Sequence, residues 1–189
     1  QQSITLKEDG NSYQGLGWAL YKSIRFKESI SPFQKSIALK EDWNSYQGLG
    51  WALFRTNQFE EAVDAFQKSI ALKKDWNTLH GLGWAQIRMN HFREAIEAFQ
   101  KSIILKEDWS SYQGLGWALL NTKQYEEAIQ NFDKSIEFIK DWNSFKGLGW
   151  ALLKTKRYKE AIDAFHASLL MQPVWDSYEG LGWALIKLK

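Results

Sequence analysis

Apolar residues recur along this chain at helical spacing, in two short runs that alternate. Between Asn44 and Arg55, positions Tyr46, Leu49, Gly50 and Leu53 follow i, i+3, i+4, i+7 and share one helix face. Turn-type residues at Arg55–Gln58 interrupt the pattern. A second stripe follows at Phe59, Ala62, Val63, Phe66, Ser69 and Ile70, with Glu60, Glu61, Asp64 and Lys68 on the solvated side. No strand pattern appears, so the pair predicts helix–turn–helix.

The pair repeats. GLGW occurs with its tryptophan at Trp18, Trp51, Trp84, Trp117, Trp150 and Trp183, a constant step of 33 residues. A second series, Trp43, Trp76, Trp109, Trp142 and Trp175, keeps the same step, and the two series account for all 11 tryptophans. A unit of this length in tandem cannot bury its apolar face alone, so neighbours must stack. The chain therefore reads as one array over 1–189. Residues 1–9 look like the end of a preceding second helix, because QSITLKED matches KSIALKED. Five copies follow at 10–42, 43–75, 76–108, 109–141 and 142–174, then a lone first helix at 175–189. Neither end carries a distinct polar cap, which suggests a piece of a longer array or stacking end to end.

On these residues the copy resembles the tetratricopeptide repeat (TPR) family. Leu49–Gly50 match the family's Leu-Gly pair on the first helix, Phe59 its aromatic opening the second, Ala62 its small residue, and Phe66 its later aromatic. The resemblance implies an all-α, right-handed α-solenoid, a superhelix with a concave inner groove, and protein or peptide partners. Two departures stand out. The family period is usually 34, and its closing proline is found only at Pro173, which implies a pitch unlike the family norm. The first copy is irregular as well. Ser29 replaces the small Ala62 column, and Pro32 lies inside the second helix, so a kink or late start is expected there.

Composition narrows the function classes. Lysine and arginine number 24 against 22 acidic residues, too balanced for a general nucleic-acid or membrane-surface binder. There is no cysteine, and QQSITLKEDG holds no apolar leader segment, which is what a cytoplasmic protein would show. His80, His91 and His166 occupy different columns without metal-ligand spacing. No catalytic set is visible, so neither enzyme nor cofactor is expected.

A GLG turn can cradle a phosphate, but such a loop must follow a strand and open a helix. Here both glycines lie mid-helix, where each costs about 1 kcal/mol relative to alanine. Residues two apart point about 200° apart, so the pair needs two explanations. Gly50 should let the two helices of a repeat meet. Gly48 should clear room for the Trp51 indole on the groove face.

That face supplies the candidate ligand contacts. They are the indoles Trp18, Trp51, Trp84, Trp117, Trp150 and Trp183; Gln47, His80 and Gln113; Asn44 and Asn77; and the basic residues Arg55, Arg88 and Lys154. The indoles can be packing or an open platform. The Asn44 column can be N-caps or a ladder for a ligand backbone, and Asp42 could cap instead. Gln47 and its equivalents fit a capping-box partner. Trp43 and its equivalents should plug the junction with the preceding second helix. An extended peptide suits the face best. A carbohydrate, end-to-end self-association and an accessory array of a larger enzyme are the alternatives.

Overall fold

The computed structural model describes residues 9–189. The expected helix end at residues 1–9 therefore lies almost wholly outside the described residues. The described chain forms eleven α-helices, first and second helices of the repeat alternating along the sequence. First helices are α1 (Gly10–Lys22), α3 (Trp43–Arg55), α5 (Trp76–Arg88), α7 (Trp109–Asn121), α9 (Trp142–Lys154) and α11 (Trp175–Leu188). Second helices are α2 (Phe26–Leu39), α4 (Phe59–Leu72), α6 (Phe92–Leu105), α8 (Tyr125–Phe138) and α10 (Tyr158–Met171). The chain packs as two compact units, the first ending at Met89 and the second beginning at Asn90.

The local signals are simple. Asp42 accepts from the backbone N–H of Asn44 and Ser45 and so caps α3; Asp9, Asp75, Asp108 and Asp141 cap their own first helices. This corrects the expectation that the asparagine column caps: Asn44 already lies inside the helix. Second helices have no side-chain cap. Glu60 and Glu61 in the first turn of α4 instead complement the helix dipole.

The turn inside each repeat needs one left-handed residue. Ile24, Asn57, Asn90, Lys123 and Lys156 all hold φ between 62° and 65°. Asparagine tolerates that region, whereas a β-branched side chain is strained there. Ile24 is 75% exposed and has little packing to lose. Ile24→Asn is therefore expected to raise stability by about 1 kcal/mol, read as a higher urea midpoint at unchanged slope. An unchanged midpoint would mean that the strain is relieved elsewhere.

Core packing turns on one ring per repeat. Phe33, Phe66, Phe99, Phe132 and Phe165 are fully buried. A methyl group on Gly50 would come within 2.6 Å of Phe66, on the second helix of the same repeat. A methyl group on Gly48 would overlap Phe33, on the second helix of the preceding repeat. Phe33, Phe66, Phe132 and Phe165 are thus each held between the second glycine of their own first helix and the first glycine of the next one. This corrects the assignment of Gly48 to Trp51. The indole lies instead over the next repeat, where Gly81 would bring a methyl 2.9 Å from Trp51 Cζ2. Serine follows the same logic: Ser36 Oγ donates to Gly10 O at 2.8 Å and meets Ser45 Oγ at 2.9 Å, joining its own first helix to the next.

Within each unit, consecutive first helices touch, whereas consecutive second helices do not among the described residues. The first helices therefore crowd one side, and the second helices splay on the other. Pro32 is buried in α2, which starts at Phe26 as its equivalents do, so no late start occurs. Gln86 is buried in an otherwise leucine-rich column with its Oε1 lacking a hydrogen bond, and nothing in the structure explains it.

Candidate functional site

The first-helix side carries the predicted residues. Trp18, Trp51, Trp84, Trp117 and Trp150 are half-buried, and Trp183 is 49% exposed. The indoles meet the clamped phenylalanines edge-on: Trp18 on Phe33, Trp51 on Phe66, Trp117 on Phe132 and Trp150 on Phe165. The centroid distances are 5.3–5.6 Å. Edge-on packing ties these indoles to the core, and their intermediate burial leaves part of each exposed. The indoles are thus anchored by packing and still partly open.

Their N–H groups are treated unevenly. Trp18 Nε1 donates to Asn44 Oδ1 at 3.2 Å. Trp84 Nε1 donates to His80 Nε2 at 2.9 Å, which requires that nitrogen to be unprotonated. The Nε1 atoms of Trp51 and Trp117 are buried without a hydrogen bond.

Gln47 and Gln113 belong to the junction between repeats rather than to the open face. They are 6% and 7% exposed. Gln47 Nε2 donates to the capping Asp75 at 2.8 Å and to Thr78 at 2.6 Å. Gln113 does the same to Asp141 at 2.7 Å and Ser144 at 2.8 Å. Gln14 likewise donates to Asp42 and Ser45. These amides are not capping-box partners of their own helix; they tie α1, α3 and α7 to the caps of α3, α5 and α9. Asn44 is drawn into the same network through Gln14 Oε1. Asn77 is half-buried, and its backbone N–H is held by Asp75. In the last junction Val174 replaces the capping aspartate, and Lys146 pairs with Asp176 at 3.3 Å.

The basic row divides into two kinds. The Arg55 guanidinium lies 4.5 Å from the Phe26 ring centroid and that of Arg88 lies 4.4 Å from Phe59, so both cover rings of their own chain. Tyr21, packed beside them against Phe26, has its hydroxyl pKa raised by burial, an effect that the Arg55 charge opposes. In the second unit the equivalent place is open. Trp150, Leu153, Lys154, Tyr158, Trp183 and Lys187 enclose a cavity of about 240 Å³.

The other tryptophan series behaves differently. The Lys73 ammonium sits 4.0 Å from the Trp43 ring centroid, whereas Trp175 is 81% exposed and plugs nothing. Among the described residues there is no cluster of three or more metal-ligating side chains, and no helix is long and apolar enough to cross a membrane.

Tetratricopeptide-repeat family models match residues 43–76, 80–143 and 146–189, most of the chain. The chain belongs to the tetratricopeptide repeat family. Its fold is accordingly an all-α repeat solenoid, the TPR architecture, and TPR chains act as protein-interaction scaffolds. Solved structures agree in fold. YrrB, described as a TPR protein with an unusual peptide-binding site, superposes with a TM-score of 0.76 at 19% identity. The match covers 96% of this chain and 92% of that one. MamA from Desulfovibrio magneticus RS-1, from residue 41 to its end, gives 0.79 at 16% identity, covering 89% and 97%. A thermophilic TPR protein from Thermus thermophilus gives 0.69 at 13%, covering 94% and 99%. No curated protein sequence matches.

Proposed function

We infer that this TPR chain binds an extended, acidic peptide along its first-helix face, with the indoles as apolar contacts and the basic row as charge partners. The open cavity of the second unit carries this reading. Its walls are the rings of Trp150, Tyr158 and Trp183, and its rim holds Lys154 and Lys187, neither in an ion pair among the described residues. A cation pair beside exposed rings suits a carboxylate flanked by an apolar side chain, and the lysines count for more once a ligand removes water from them. The neighbour described with an unusual peptide-binding site shares the fold and so supports a peptide ligand.

The test is a peptide array followed by calorimetry on the best binder. Acidic peptides with one aromatic residue should dominate the array. Trp150→Ala and Lys154→Gln are each expected to weaken the chosen peptide about tenfold, or ~1.4 kcal/mol, with circular dichroism unchanged. An array without acidic preference, or unaltered affinity in both folded variants, would sink the reading.

A further inference from the structure

The opposite face of each unit holds a further cavity. Where successive second helices splay within a unit, a slot can open between them, floored by the first helix that lies between them. In the first unit such a slot, about 390 Å³, lies between α2 and α4 over Leu49 and Leu53. Its counterpart in the second unit, three repeats later, lies between α8 and α10 over Phe145, Leu148 and Leu152 and measures about 300 Å³.

The two slots have similar apolar floors and different charge. In the first, the rim positions are Gln34 on α2 and Asp64 on α4, and Asp64 is neutralised by Lys68 one turn later, at 2.8 Å. In the second, Asp133 stands where Gln34, Gln67 and Gln100 stand in the three preceding copies and His166 in the one that follows. Asp163 stands where Asp64 does, but Ala167 replaces the lysine. Two carboxylates thus line the slot from opposite helices, and Asp163 lacks the lysine that Asp64 has; Arg157 and Glu160 complete the charged lining. Arg157, which also lines the slot, offsets part of that negative charge but is shared with other carboxylates. Arg157 is closed on Glu160, its Nε 2.8 Å from Glu160 Oε1, and lies 4.0 Å from Glu126. Lys159, one turn before Asp163, makes no ion pair with it among the described residues. Burial against the slot wall raises the Asp133 carboxyl pKa; Arg157 opposes this, and Glu137 and Glu160 add to it. A carboxylate only partly compensated beside an apolar cavity is stabilised by a cation carried on an apolar stem.

We propose that the α8–α10 slot binds an arginine or lysine side chain of a partner polypeptide, with the aliphatic stem on Phe145 and Leu148 and the charged head between Asp133 and Asp163. This site is separate from the first-helix face and does not depend on the peptide reading above. It would give one chain two docking surfaces of opposite preference, one for acidic and one for basic partners.

The experiment follows amide resonances of the isotope-labelled full chain during titration with two capped dipeptides. One is acetyl-leucyl-arginine amide; the other is its uncharged citrulline isostere. The arginine peptide should give saturable shifts centred on Asp133 and Asp163, with at least tenfold weaker binding of the citrulline peptide. Asp133→Gln and Ala167→Lys install the residues that other copies already carry, so both variants are expected to fold. Each should weaken the arginine peptide about tenfold, and the lysine variant does so by supplying the missing cation from within the chain. Trp150→Ala should leave these shifts unaltered. No saturable shift in this slot, equal binding of the citrulline peptide, or full binding by both slot variants would overturn the proposal.

Discussion

Phe132→Ala is expected to lower the stability of the second unit by about 3–5 kcal/mol, the range for removing a fully buried aromatic ring. The ring is held from three sides. A methyl on Gly116 would come within 2.8 Å of Phe132, a methyl on Gly147 would overlap it, and the Trp117 indole meets it edge-on at 5.4 Å. The partner experiment separates clamp from bulk. Gly147→Ala gains about 1 kcal/mol in helix propensity, so a glycine kept only by chance would be stabilised by alanine. Overpacking costs about 1–3 kcal/mol, and against a ring fixed on both sides it should win, leaving a net loss. In a Phe132→Leu background, where the ring is gone, the same substitution should turn neutral or favourable. Urea denaturation of the four proteins gives the coupling directly. A stabilising Gly147→Ala in the parent chain would show that the clamp does not exist.

Asp141→Ala should cost about 2–4 kcal/mol, more than an ordinary cap. Losing a cap alone costs about 1 kcal/mol. Asp141 accepts from the backbone N–H of Asn143 at 2.9 Å and Ser144 at 3.1 Å, and also from Gln113 Nε2 at 2.7 Å. Removing it strips a buried amide of one partner, which adds about 1–3 kcal/mol. Asp9 is the internal comparison. It caps α1 through Asn11 at 3.3 Å and is exposed, so Asp9→Ala should stay near 1 kcal/mol or below. Thermal melts of the two variants decide the point: equal losses would mean that the glutamine bond to the cap adds nothing to stability.

These two expectations show how one motif holds two layers of information. The glycine pair is visible in the sequence, and so is the need for two separate explanations. The partner of Gly48 is not visible. Periodicity within α3 says which way Gly48 faces, but the ring that fills the space belongs to Phe33 on the preceding helix, and only packing brings the two together. The caps behave in the same way. Asp42 and Asn44 are both competent residues two positions apart; the structure makes Asp42 the cap, and there, as at Asp75 and Asp141, the same carboxylate also receives a junction glutamine. The groove side was legible as a face, since all six indoles lie on first helices. How far each indole is exposed, and which of Asn44, Gln47 and Gln113 are already bonded within the chain, was not.

The acidic slot had a signal that column comparison alone could have found. Asp133 ends a run of three glutamines, and Ala167 ends a run of four lysines. Neither departure means anything until the positions are known to face one cavity from opposite helices.

What the sequence determined by itself is therefore local and periodic: two helices per 33 residues, the turn between them, the buried phenylalanine column and the family. These follow from spacing and propensity, which act within a single copy. What the tertiary structure decided is everything that requires two copies at once: which glycine meets which ring, which carboxylate caps, and where slots open. The physical reason is curvature. First helices touch and second helices separate within each unit, and that difference in approach cannot be read from any one repeat.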